Sequence, residues 1–182
     1  ERHVSPADGF ARYVFRGADE GCFEAVRIPL THVPGKEKYV VCVSTQVGCA
    51  VGCSFCATGA LGIRRDLAAW EIVDQVIHIR NDSDYPVRGV VFMGMGEPLL
   101  NYDQMMRAAA ILAEPSGLAV GAKAITVSTA GIVPGIRRFT RERHPFRLVV
   151  SLTSADPQRR LALLPIEAAY PTADILAARA HA

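Results

Sequence analysis

Cys42-Val-Ser-Thr-Gln-Val-Gly-Cys49-Ala-Val-Gly-Cys53-Ser-Phe-Cys56-Ala-Thr-Gly59-Ala-Leu-Gly62-Ile-Arg-Arg65-Asp-Leu67 is the stretch around which the rest of the chain is organised. Cys49, Cys53 and Cys56 form a C-x3-C-x2-C set, close enough in sequence for three thiolates to reach one small inorganic body. Three is one short of a closed site. A structural zinc takes four protein ligands, so the fourth would have to come from elsewhere. An iron–sulfur cube also has four corners; held by three cysteines, it leaves one iron open to a substrate or cofactor. Glycines at 48, 52, 59 and 62 suit a chain that must curl around such a body. Phe55 is expected to add an apolar wall that limits solvent. The competing readings are a zinc knuckle completed by a distant histidine, and buried cysteines with no metal. Cys42, taken alone, has the character of a packed strand cysteine.

C-x3-C-x2-C with an aromatic before the last cysteine is the signature of the radical S-adenosylmethionine (SAM) enzymes. The longer string resembles one branch of them, the adenine-C2 RNA methyltransferases of the RlmN/Cfr family. The branch-specific parts are Cys42-Val-Ser-Thr-Gln-Val-Gly-Cys49, Thr58-Gly59 and Gly62-x-x-Arg65. The resemblance implies a partial (β/α)6 barrel, a [4Fe–4S] cluster on Cys49, Cys53 and Cys56, and SAM as cofactor.

Outward from the cysteines, strand and helix patterns alternate. Residues 40–44 form a short strand, and residues 69–80 an amphipathic helix with Ala69, Ile72, Val73, Val76 and Ile77 on its apolar face. His78 is a solvent-facing helix residue rather than a metal ligand. Residues 89–93 form an apolar strand of the kind covered on both faces. The next helix has Asn101 as N-cap, Gln104 at the third position, and Met105, Ala109 and Leu112 inward. Residues 124–128 and 146–152 are the third and fourth strands. Between them residues 132–141 form a helix with Pro134 in its first turn, and Asp156-Pro157 opens the helix after the fourth strand. Residues 173–180 are a last helix. Four β/α repeats imply parallel strands with right-handed crossovers, an α/β fold. The expected organisation is a partial barrel over residues 39–182, preceded over residues 1–38 by a β-hairpin (residues 9–30) and a loop (residues 31–38).

Gly94-Met-Gly96-Glu97-Pro98 lays backbone open beside a strand end, as a bound cofactor would require. Ser128 and Ser151 lie at C-terminal strand ends, where barrel enzymes gather ligand contacts. The resemblance gives these residues roles. Gly96 and Glu97 belong to the turn that meets the amino group of SAM. Ser128 and Ser151, the latter followed by Leu152 and Thr153, match SAM-contacting positions. Glu24, in Glu24-Ala-Val-x-Ile-Pro29, matches a proposed proton acceptor, and Cys42 matches a second thiol that releases a covalent enzyme–RNA adduct. The implied reaction places a methyl group on C2 of an adenine in 23S rRNA, with tRNA as a further substrate. Thr153, Asp66 and Glu167 depart from the family, which has His, Asn and Asn there. The family's N-terminal accessory domain, its last two β/α units and its methyl-carrying cysteine have no counterpart, so a fragment or a short homologue is expected. A radical SAM enzyme of different outcome, or a non-catalytic iron–sulfur module, are the alternatives.

At 182 residues, half of them hydrophobic and 21% charged, the composition is that of one globular domain. A net charge of +2 advertises no nucleic-acid partner, and arginine pairs such as Arg64-Arg65 and Arg159-Arg160 are more often solvated helix faces. No apolar run is long enough to span a membrane. Five cysteines, three at metal spacing, point to a reducing compartment. A cytoplasmic monomer is expected, and the resemblance implies an electron donor such as flavodoxin or ferredoxin.

Overall fold

The computed structural model describes residues 1–17, 19–30 and 37–179. Most of the loop expected over residues 31–38, and the last residue of the expected final helix, Ala180, lie outside them. In chain order the elements are β1 (Arg2–Val4), β2 (Ala11–Arg16), β3 (Cys22–Pro29), β4 (Tyr39–Cys42), β5 (Gln46–Gly48), α1 (Ala57–Ala60), β6 (Ile63–Asp66), α2 (Ala69–Asn81), β7 (Val87–Phe92), α3 (Tyr102–Ala113), β8 (Ile125–Thr129), α4 (Val133–Glu142), β9 (Arg147–Val150), α5 (Pro157–Leu163) and α6 (Thr172–Arg179).

Seven strands form one sheet in the order β1-β2-β3-β4-β7-β8-β9. The first three pairings are antiparallel and the last three parallel. β1 and the hairpin β2–β3 thus make up the antiparallel side of the sheet, with β1 at its edge, and β3 joins the parallel strands in register through Val26 opposite Cys42. The four parallel strands are the expected β/α units. β5 and β6, which the sequence did not announce, form a separate antiparallel ribbon that brackets the cysteine loop.

Side-chain alternation gives the sheet two unlike faces. Val41, Val90, Phe92, Ile125 and Val127 are fully buried in one core with Ile72, Val76 and Ile79 of α2, Met105 and Leu112 of α3, and Ile136 of α4. On the opposite face Cys42, Val91 and Thr126 are only half-buried. The expectation that residues 89–93 are covered on both faces is therefore corrected: Val91 is half-buried and Met93 is 49% exposed. A second correction concerns α2. Ile77 is 39% exposed while Ile79 is fully buried, because the buried stripe runs through residues 72, 76 and 79. His78 faces solvent beside Asp74, as expected.

Candidate active site

The cysteine loop leaves β5 and returns through α1 to β6. Gly48 has φ +80°, and a Cβ there would overlap the Gly62 carbonyl, which accepts the Cys49 N–H at 2.9 Å. Only glycine lets the two ends of the loop close this tightly. Cys56 then caps α1, its N–H bonded to the Cys53 carbonyl at 3.1 Å. Farther away in sequence, the Ser54 N–H bonds to the Leu163 carbonyl at the end of α5 (2.9 Å). Cys49, Cys53 and Cys56 are all half-buried. Burial raises the pKa of Cys49 and of Cys53, and the neighbouring thiols and Glu97 raise both further. Backbone hydrogen bonds from Val51 and Gly52 oppose this at Cys49 by favouring the thiolate.

Among the described residues no three His, Cys, Asp or Glu side chains stand as a closed metal site. The donor set nevertheless fits a [4Fe–4S] cluster: three half-buried thiols stand on one loop, and the space where a Gly52 side chain would lie is open. Phe55 does not form the expected wall; it is 61% exposed, because it follows Ser54 on the outer side of the loop anchored to α5.

Beside the loop stands the turn after β7. Gly96 has φ +99°, and its missing side chain makes room for the Gln46 side chain. The Gln46 Oε1 accepts the Glu97 N–H at 2.8 Å while its Nε2 donates to Asp66 Oδ1 at 2.8 Å. Asp66, a departure from the resembled family, thus has an acceptor's task that a carboxylate meets. Glu97 is 3% exposed; its Oε1 accepts the Leu99 N–H (3.0 Å) and its Oε2 the Ala130 N–H (2.7 Å). Burial pushes its pKa up, against the pull of these backbone donors. The carboxylate joins the turns after β7 and β8, and its oxygens keep lone pairs for a further donor.

Ser128 and Ser151, 23 residues apart in sequence, meet with their hydroxyl oxygens 2.9 Å apart. Past Ser151 the chain makes a three-residue turn, Ser154 N–H to Leu152 carbonyl at 2.7 Å, with Thr153 at φ +63°. A β-branched residue in that region is strained. The Leu152 carbonyl also accepts Arg160 Nε at 3.1 Å. Arg160 is a residue that sequence reasoning placed on a solvated face; it is fully buried and paired with Glu167.

Cys42 and Glu24 occupy neighbouring strands. Val26 lies opposite Cys42, and Glu24, two residues along, shares their face of the sheet. Burial pushes the Cys42 thiol up to about 11. The Glu24 carboxylate is partly exposed, 3.5 Å from Arg12. Its backbone carbonyl accepts the Ser44 hydroxyl (2.5 Å), and Ser44 Oγ in turn accepts the Met95 N–H (2.8 Å), so the hairpin is tied to the turn that carries Glu97. Two residues in these links, Gln46 and Asn101, were missed as site builders. Asn101 makes no capping bond; its Nδ2 donates to the Thr45 and Leu67 carbonyls, both at 2.8 Å. Gln104 likewise accepts the Ala69 N–H at 2.9 Å instead of completing a cap. The signal for Gln46 was its place inside the family-specific string; a polar side chain on the strand leading to a cofactor loop is a candidate hinge pin.

The family model described as the radical SAM superfamily matches residues 43–179. A "Probable RNA methyltransferase" of Myxococcus xanthus is 56% identical over 94% of this chain and 47% of its own length. A "Dual-specificity RNA methyltransferase RlmN" of Syntrophobacter fumaroxidans is 47% identical over 94% of this chain and 49% of its own. The crystal structure of a radical SAM methyltransferase from Sphaerobacter thermophilus superposes with a TM-score of 0.90 at 39% identity, covering 100% of this chain and 53% of that one. The chain spans about half the length of the curated relatives it matches. With the cysteine loop, the strand-end turns and the family match in agreement, the chain belongs to the radical SAM superfamily.

Proposed function

We propose that this chain is the SAM-binding half of an RNA methyltransferase that acts on C2 of adenine. The observation that carries the reading is the position of Glu97: its carboxylate is anchored to the turn after β8, next to Ser128, while its N–H is held by Gln46 on the strand that leads into the cysteine loop. Cluster ligands and the residues assigned to SAM therefore share one end of the sheet, as ligand sites do in α/β barrels. Cys49, Cys53 and Cys56 would hold the cluster, and Gly96, Glu97, Ser128, Ser151, Leu152 and Thr153 would line the SAM site. The cluster, when bound, supplies the single electron that turns SAM into a source of a hydrogen-abstracting radical. The residues around it orient SAM, Glu97 by accepting from its ammonium group and the paired serines by presenting hydroxyls. On the face it shares with Cys42, Glu24 would take a proton from the modified base. Cys42 keeps its own proton at neutral pH, so its attack as a thiolate is slow unless a base assists.

Relatives named as RNA methyltransferases support RNA as substrate, with adenines of 23S rRNA and tRNA the specific proposal. No helix among the described residues is long and apolar enough to cross a membrane. A cytoplasmic monomer, reduced by a small electron carrier, completes the proposal. Anaerobic reconstitution tests its foundation. The expected result is about four irons per chain, the load of one [4Fe–4S] cluster, lost on Ser substitution of Cys49, Cys53 or Cys56. A single bound zinc without sulfide would end the reading.

A further inference from the structure

The Arg160–Glu167 pair takes no part in the reaction as proposed, yet it is built with care. Arg160 is fully buried, and a guanidinium withdrawn from water is stable only when its donors are used. Its Nε donates to the Leu152 carbonyl, its Nη2 to the Ala130 carbonyl and its Nη1 to Glu167. Glu167 also accepts the Thr172 N–H (2.9 Å) and hydroxyl (3.1 Å), which fixes the start of α6. Ala130 is gripped at both ends of its backbone, its carbonyl by Arg160 and its N–H by Glu97. Leu152 begins the strained turn at Thr153. The helix that carries Arg160 reaches the cysteine loop as well, through Leu163 and Ser54. One guanidinium thus spans the turns after β8 and β9, from a helix that also anchors the cysteine loop.

We propose that Arg160 is a positioning residue of the SAM site: it sets the separation of the turns carrying Ser128 and Ser151 and, through the Ala130 peptide, the aim of the Glu97 carboxylate. The proposal rests on the reading of those turns as the SAM pocket. The arrangement calls for a planar fork with donors on three nitrogens. A lysine keeps the charge but carries its donors on one atom, so it cannot span acceptors on three segments. Packing of an ordinary buried residue would be satisfied by any side chain of similar bulk; positioning would not.

The full-length protein, reconstituted with its cluster, provides the test through two variants. Arg160→Lys keeps the charge and loses the fork. The double variant Arg160→Met with Glu167→Leu removes both charges and keeps the bulk, a replacement that commonly preserves or raises stability. Iron content per chain is expected to stay at the wild-type level in both, since the three cysteines are untouched. The dissociation constant for SAM should rise about ten- to a hundredfold in both, the scale of a misplaced binding group. Amide hydrogen exchange of residues 129–131 and 151–154, measured without SAM, should accelerate in both. A double variant that binds SAM as wild type does overturns the proposal, and so does unchanged exchange in the two turns. A wild-type protein that binds no SAM overturns the pocket reading, and this proposal with it.

Discussion

Thr153 sits at φ +63° between Leu152 and Ser154, where a branched Cβ crowds the backbone. Strain of this kind costs on the order of 1–3 kcal/mol, and glycine gives part of that back as extra freedom of the unfolded chain. Thr153→Gly is therefore expected to stabilise by about 1 kcal/mol and to raise the melting temperature by roughly 2–4 °C for a chain of this size. A thermal melt checks it; a lower melting temperature would mean that the threonine side chain contributes more than its backbone loses. Cys42 gives the second prediction at this scale. With its thiol pushed up to about 11, the thiolate fraction rises about tenfold per pH unit between pH 7 and 10. Breakdown of a protein–RNA adduct in the full-length enzyme should accelerate with the same slope. Cys42→Ala should trap the adduct without changing iron content. An adduct that decays at one rate across this range would remove Cys42 from the release step.

At the scale of elements, α2 separates what periodicity reveals from what it hides. Ile79→Ala should cost about 2–5 kcal/mol, the usual range for emptying a core site, whereas Ile77→Ala should stay within about 0.5 kcal/mol. Urea unfolding distinguishes the two; equal effects would contradict the packing. The four parallel strands, the hairpin and the longer helices were legible because apolar spacing and turn residues are local signals, whereas the short β1, β5, β6 and α1 carry too few residues to show a period. The same locality misassigned Asn101 and Gln104. Both have good capping chemistry, but the buried carbonyls of Thr45 and Leu67 and the N–H of Ala69 took their side chains instead. Arg160 was illegible for a related reason: its acceptors lie on segments that only the tertiary fold assembles. In the candidate site, the sequence nominates the cysteines and the two serines, but the Ser128–Ser151 contact is made only by the fold. The hairpin tip shows a pH effect. Hydrogen bonding to Arg65, 3.0 Å away, holds Asp19 down to about 2. A depressed carboxylate stabilises above its unfolded pKa and ceases to as pH falls through its folded one. The tip should stay tethered to β6 above about pH 4 and come loose toward pH 2, which hydrogen exchange of residues 16–22 would register as lost protection relative to the intrinsic rate at each pH. Protection that persists at pH 2 would show that the tether is not ionic.

For the molecule as a whole, the sheet divides the work. Its parallel half presents the turns proposed for SAM, and its antiparallel half brings Glu24 to the face occupied by Cys42. The cysteine loop belongs to neither half; it is held by its own ribbon and by the bond from Ser54 to Leu163, 109 residues farther along. That separation sets a schedule. During synthesis at roughly 5–20 residues per second, Cys49, Cys53 and Cys56 leave the ribosome several seconds before the helix that secures their loop. For that interval the three thiols hang on a loop without its far anchor, open to oxidation or to a mismatched metal. A chain cut after Ala155 should reproduce that nascent state, taking up iron but losing it to a chelator faster than the longer chain. Cluster delivery in the cell would then be timed to the emergence of α5, and a pause in translation ahead of that helix would lower the yield of loaded enzyme without changing a single residue of it.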